Sequence, residues 1–467
     1  MSRRTFSGAV RRLAARAACC LAIGALAGCA STGPADPVLP SGQPDVVRMD
    51  DTIGTYGAGR EDRLILVLVD AELHEALAGA DGAAESPDMP APYARYLENL
   101  RERHGVRRVA DWPLSNLGVR CLVFEVDRAE AREAAMASLR GEPDIESVQP
   151  MQLFASAAGA GGDGGGPSDG GGAASADVVH DDPLRPLQGA LAEMQVDLSH
   201  RWADGEGVTV GVIDTGVEST HPDLDGHVLE GRNFVDDDAA RFAEDVHGTA
   251  VAGVIAASAG NRRGMVGVAP EASVLPLKAC WQGAEGEGAS CNSFTLAKAI
   301  NVAIGSEVDI INLSLTGPPD PLLAQLVEVA LERDTIVVGA WSANGARAFP
   351  ADVPGTVTVD ATADPAEATA AGDRSGTGAS VTAPGRGVLS ARPTGDYGYF
   401  SGSSFATAYV AGLAALVRQS DPSIDGAAFA ELVASTADPA TGRVNACRAV
   451  ARVNGESPDA CPAASAS

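Results

Sequence analysis

Val208-Thr209-Val210-Gly211-Val212-Ile213-Asp214-Thr215-Gly216 is the stretch from which the fold follows. Its first six residues are β-branched apart from one glycine, with no polar alternation, as in a strand buried on both faces. Similar runs recur at 273–277, 308–313, 335–338 and 356–359, and helical stretches are expected after Gly248, Ser293, Pro321 and Ser404. Strands alternating with helices predict an α/β fold with a mostly parallel sheet covered by helices on both faces. Sites in such sheets form at the carboxyl ends of strands, which makes Asp214 a candidate. A plain turn Asp explains the D-T-G run equally well, and no second such run follows to make a paired-carboxylate site.

Two other stretches carry chemistry. His247-Gly248-Thr249-Ala250-Val251-Ala252-Gly253 puts a His at the mouth of a small-residue helix. A carboxylate can hold one ring nitrogen there while the other accepts a proton from a hydroxyl. The rival His221 precedes Pro222 in a loop, a poor place for a fixed base. Phe400-Ser401-Gly402-Ser403-Ser404-Phe405-Ala406 starts an apolar helix at Ser404. Free backbone N–H groups and the helix dipole favour negative charge at that oxygen, although a capping Ser would look the same. Ala406 stands where a G-x-S-x-G elbow needs Gly.

The chain order Asp, His, Ser matches the subtilisin arrangement of a triad rather than that of chymotrypsin or the α/β-hydrolases. Residues from about 181 to 440 resemble a subtilisin-like catalytic domain through Asp214-Thr215-Gly216, His221-Pro222-Asp223-Leu224, His247-Gly248-Thr249, Gly267-Val268-Ala269-Pro270, Thr382-Ala383-Pro384-Gly385 and Gly402-Ser403-Ser404. The resemblance implies a serine endopeptidase: Ser404 attacks, His247 moves the proton, Asp214 orients His247, and an acyl-enzyme forms. It implies polypeptide substrates and no obligatory cofactor. Calcium is common in the family, and Asp236-Asp237-Asp238 is a candidate run, but adjacent acids fit a solvated turn and no metal is assigned.

Three positions depart from the family pattern. Ser403 replaces the usual Thr before the nucleophile and keeps a hydroxyl. The family's oxyanion Asn follows Ala-Ala-Gly, whereas this chain reads Ala340-Trp341-Ser342-Ala343-Asn344, so Asn344 fits if the turn adjusts by one residue. Losing that donor in subtilisin costs about 2.7–4 kcal/mol. The substrate-strand edge Ser314-Leu315-Thr316 carries Thr316 where the family tends to have Gly, and the added bulk narrows the adjoining pocket.

The N-terminal part reads in pieces. Arginines 3, 4, 11, 12 and 16 and the short apolar stretch 18–28 make residues 1–28 a signal peptide. Ser2-Arg3-Arg4-Thr5-Phe6 also resembles a twin-arginine motif. Leu26-Ala27-Gly28-Cys29 looks like a bacterial lipobox, with Cys29 lipidated and residues 29–59 as tether. Residues 60–155 show strand at 64–69, helix with Tyr93, Tyr96, Leu97 and Leu100 on one face, two strands ending at Val126, a helix at 129–139 and a last strand at 145–153. That β-α-β-β-α-β order predicts a small ferredoxin-like α+β domain resembling the propeptide of many subtilisin-like enzymes, an intramolecular partner that inhibits until clipped. The Gly-rich residues 156–180 are the linker where clipping would fall. Residues 181–455 make the catalytic domain and 456–467 a tail.

Bulk composition sets outer limits. The chain has 467 residues, 34 Lys+Arg against 62 Asp+Glu and a net charge of −28, which repels a phosphate backbone and excludes nucleic acid as partner. Export suits the cysteines: Cys280 with Cys291 and Cys447 with Cys461 are local pairs, each bridge worth about 3 kcal/mol in the loop-entropy view, while Cys121 is left over. None has zinc-site spacing. The expectation is an exported envelope lipoprotein, outer-membrane or periplasm facing, released if clipping frees it. The alternative is a catalytically weak or inactive binding lipoprotein on the same fold.

Overall fold

Leu64–Asp70 (β1) is apolar at every position but the last, and all six apolar residues are buried. It is central in an antiparallel sheet of order β2-β3-β1-β4, with β2 at Val106–Leu114, β3 at Val119–Val126 and β4 at Ile145–Pro150. Helices α1 (Ala91–His104) and α2 (Arg132–Leu139) cover one face. Ile65, Val67, Leu122 and Phe124 meet Tyr93, Leu97, Leu100 and Met136 there. The expected β-α-β-β-α-β order is the one found. The computed structural model describes residues 60–73, 91–157, 180–236, 238–283, 288–342, 348–361, 380–439, 441–457 and 460–462. All of these lie within one compact unit, Gln43–Ser467. The signal peptide, Cys29, the tether and most of the linker fall outside the described residues.

One sequence expectation fails in an informative way. The last strand expected at 145–153 is not a single strand: β4 ends at Pro150, and β5 (Leu153–Ser156) leaves the small sheet and joins another. Period-two patterning identifies a strand but not its partners, which are remote in sequence.

The second body is a parallel sheet of seven strands, order β15-β14-β13-β11-β6-β8-β7. Its members are β6 (Thr209–Asp214), β7 (Arg232–Asn233), β8 (Ser273–Lys278), β11 (Ile310–Leu313), β13 (Ile336–Ala340), β14 (Val357–Asp360) and β15 (Ser380–Thr382). Alternate residues of the central strands face opposite cores. Val210, Val212, Ile310 and Val338 pack with α3 (Val246–Ala256) and α6 (Ser403–Ser420). Ile213, Ile311, Leu313 and Val337 pack with α4 (Ser293–Gly305) and α5 (Pro321–Glu332). The second core also takes in Leu64, Leu66, Leu68, Cys121 and Val123, so the other face of the N-terminal sheet is buried against this body.

Shorter elements surround the sheet. A hairpin, β9 (Cys280–Gln282) and β10 (Ala289–Asn292), is bridged by Cys280–Cys291. Strand β12 (Leu315–Thr316) follows β11, and β16 (Val388–Arg392) pairs with β17 (Asp396–Phe400). Helices α7 (Gly426–Thr436) and α8 (Ala446–Val453) complete the chain, with Cys447–Cys461 fastening the tail. Cys121 is buried and unbridged.

Candidate active site

Asp214 ends β6, and His247 is the second residue of α3. The two meet directly: His247 Nδ1 lies 2.7 Å from Asp214 Oδ1. Thr215 N donates to the same oxygen at 2.7 Å. Both side chains are buried, and His247 Nε2 has no hydrogen-bond partner among the described residues. Close approach of the two backbones demands glycine, because a Cβ on Gly248 would stand 2.5 Å from Gly216 O. Gly248 N instead donates to Thr215 Oγ1 at 2.9 Å and Glu218 N to Thr249 Oγ1 at 3.0 Å, joining the loop after β6 to the start of α3.

Ser404 lies in the first turn of α6 and is fully buried. Its Oγ donates to Ser314 O at 3.2 Å, not to His247. Ser314 Oγ returns a bond to Ser404 O at 2.9 Å and accepts from Asn312 Nδ2 at 2.9 Å, so the nucleophile candidate is fixed to the end of β11.

The cleft beside Ser404 is filled by the chain itself. Strand β5 lies antiparallel between β10 and β12, pairing Phe154 with Cys291, Ala155 with both Ser290 and Thr316, and Ser156 with Leu315. Ala157 N donates to Ser314 O at 3.1 Å. Ala157 O accepts from Ser404 N and from Ser403 Oγ, each at 3.3 Å. The run Leu153-Phe154-Ala155-Ser156-Ala157 thus occupies the groove as an extended peptide, its last carbonyl on the helix N-terminus. Phe154 is buried edge-to-face against Phe349, ring centroids 5.7 Å apart, over Gly317.

Of the predicted substrate edge, Ser314 and Thr316 border this strand directly, while the Leu315 side chain turns into the core and contributes through its backbone. Asn344 and Asp237 lie outside the described residues. Asp238 caps the short helix Ala239–Glu244, accepting from Ala240 N and Arg241 N, and Asp236 Oδ1 accepts from Asn233 Nδ2 and Asp238 N. These carboxylates serve a turn and a cap, and among the described residues no group of three acids, His or Cys is placed to hold a metal ion. His221 is buried, its Nε2 bonded to Asp396 O. Sequence reasoning did not single out Phe154 or Ala157, which look like strand end and linker until the groove is seen.

Residues 205–455 match the profile of the Subtilase family. Thermitase of Thermoactinomyces vulgaris is 34% identical over 259 residues, 53% of this chain and 90% of the relative. Subtilisin BL of Lederbergia lenta is 38% identical over 237 residues, 50% of this chain and 84% of the relative. Among solved structures, fervidolysin of Fervidobacterium pennivorans, described as a keratinolytic enzyme related to subtilisin, superposes with a TM-score of 0.60 at 21% identity. That match covers 83% of this chain and 60% of fervidolysin, and it speaks for the fold alone.

Proposed function

The chain belongs to the subtilase family, and from that premise we propose that it is a serine endopeptidase made as a self-inhibited precursor. The observation that carries the proposal is the Ala157 carbonyl oxygen held on Ser404 N beside the 2.7 Å contact between Asp214 and His247. In the proposed step Ser404 Oγ turns from Ser314 O to His247 Nε2 and attacks the Ala157 carbonyl carbon. Its proton passes to His247, and the imidazolium is stabilised by Asp214. The oxygen that becomes negative keeps the Ser404 N–H and Ser403 hydroxyl as donors. Collapse breaks the bond to Ala158, whose amine takes the proton from His247; water then releases the acyl group, activated by the same base.

On this reading residues 60–157 are a propeptide and Ala157–Ala158 is the bond it offers. Polypeptides that lie down as β5 does are the substrates. Lipidation at Cys29 and a place in the cell envelope complete the proposal and rest on the sequence of the first 29 residues. Among the described residues no helix is long and apolar enough to cross a membrane. The direction of Ser404 Oγ favours a second reading, a binding protein with a silent site.

A fluorophosphonate probe applied to the full chain and to Ser404→Ala, with gel sizing and N-terminal sequencing, separates the two. The peptidase reading expects, in the wild type alone, a new N-terminus at Ala158 and labelling once dilution has released the N-terminal fragment, the nucleophile being worth on the order of 10⁶ in kcat in subtilisin. An intact, unlabelled wild type that is folded supports the binding protein instead.

A further inference from the structure

Asp245 occupies the N-cap position of α3, two residues before His247, yet its side chain makes no capping bond to that helix. Its Oδ2 accepts from Gly216 N at 2.8 Å and from the ammonium of Lys278. Both charged side chains are buried. Lys278 closes β8 directly opposite Asp214 in the parallel register, and Ala279 N donates to Asp214 O at 2.9 Å. The pair therefore ties together three places: the loop after Asp214, the start of the helix that carries His247, and the neighbouring strand end.

Burial makes such a pair a poor device for stability, since desolvating two ions offsets most of their attraction. Geometry is what it fixes. Gly216 is two residues after Asp214, and the bond from its N–H to Asp245 is the charge-assisted member of the set that also includes Gly248 to Thr215 and Glu218 to Thr249. Register adds a second consequence. Side chains level with one another on adjacent strands share a face of the sheet, so the Lys278 ammonium starts out on the same side as the Asp214 carboxylate. A cation free to pair with Asp214 would compete with His247 for it.

We infer that Asp245 and Lys278 are positioning residues for the Asp214–His247 couple: Lys278 anchors Asp245, Asp245 clamps the Gly216 N–H and the entry to α3, and the pairing keeps the ammonium off Asp214. The inference rests on the peptidase reading. Burial pushes the Asp245 carboxyl above the ordinary range while Lys278 pulls it down, so loss of Lys278 also favours a protonated, weaker clamp.

The test uses full-length chain after self-processing, diluted until the N-terminal fragment dissociates, with Phe-Ala-Ser-Ala p-nitroanilide, the sequence of residues 154–157, as substrate and fluorophosphonate titration to count active sites. Lys278→Met is expected to lower kcat about 10- to 100-fold with KM almost unchanged, the signature of misplaced catalytic groups. Lys278→Arg, which keeps the charge, is expected to recover most of the loss. Asp245→Asn keeps an acceptor for Gly216 N but frees the ammonium, and the same kcat-selective loss is expected. If Lys278→Met fails to fold by near-ultraviolet circular dichroism, Asp245→Asn decides alone. An unchanged kcat in folded Lys278→Met or Asp245→Asn, or a loss that falls on KM, overturns the inference while leaving the peptidase reading intact. A folded wild type, freed of the N-terminal fragment, that is neither labelled nor active sinks both.

Discussion

A methyl group on Gly317 would stand 2.2 Å from Cδ1 of Phe154, so the hollow that receives this ring exists because residue 317 has no side chain. Phe154 is the fourth residue, counting back from the bond that follows Ala157, and the small Ala157 itself sits at Ser404. Gly317→Ala is expected to displace the ring. Burial of a Phe side chain is worth about 1.5–3 kcal/mol, which predicts self-processing slowed about 10- to 100-fold. A peptide anilide with Ala in place of the Phe should lose little on the same substitution, and equal losses on both peptides would show that the hollow does not select. At this scale the sequence was most legible where short motifs carry chemistry: Asp214, His247 and Ser404 each sit in a run whose neighbours are small for a steric reason, as Gly248 illustrates. Asp245 and Lys278 had no such mark. A charged residue reads as solvent-facing until the partner that permits its burial is known, and that partner lies 33 residues away.

Elements were read well where burial is complete and poorly where pairing is remote. The apolar runs of β6, β8, β11, β13 and β14 announce themselves because both faces are covered, and α3 to α6 begin near their predicted starts. The hairpins β9–β10 and β16–β17 are short, five residues or fewer to a strand, and went unread. Yet β10 is half of the groove, since it pairs with β5 on one side and β9 on the other. The Cys280–Cys291 bridge joins residues directly opposed in that hairpin and so braces the edge on which β5 lies. Replacing both cysteines with Ser is expected to cost about 2–4 kcal/mol of stability. The functional effect should fall on KM, which rises, rather than on kcat, because the edge touches substrate backbone and not the reacting atoms. Steady-state kinetics of the double variant on the same anilide checks this, and a kcat-only loss would mean that the brace acts on the catalytic groups.

The whole molecule is organised around one question, whether the N-terminal module leaves once its last bond is cut. Both faces of its sheet are buried, one under its own helices and the other against the body that carries the site. Polar contacts add direction to that apolar face. Asn116 donates three hydrogen bonds to Asn301, and the Lys298 ammonium lies 4.8 Å from the centre of the Trp112 ring. Gln149 donates to Asp320 Oδ1 at 2.8 Å and accepts from Leu322 N at 3.2 Å, completing from outside the cap of α5. Cutting at Ala157–Ala158 removes none of these contacts, so the processed enzyme should remain latent with the fragment in place, and any lipid at Cys29 would still hold it. Gln149→Ala removes a buried hydrogen bond to a carboxylate, worth about 1.5–3 kcal/mol, and should free the fragment about 10- to 100-fold more readily. The helix keeps its own Asp320 cap, so the catalytic body itself should melt as before. The readout is the activity of freshly processed full-length chain on dilution, together with size-exclusion chromatography. Activity that appears at higher concentration in Gln149→Ala, with the two pieces eluting apart, places control of this enzyme in the docking of the module. Equal latency in both proteins would assign the hold to the β5 strand in the groove, and Gly317→Ala would then be the substitution that releases it.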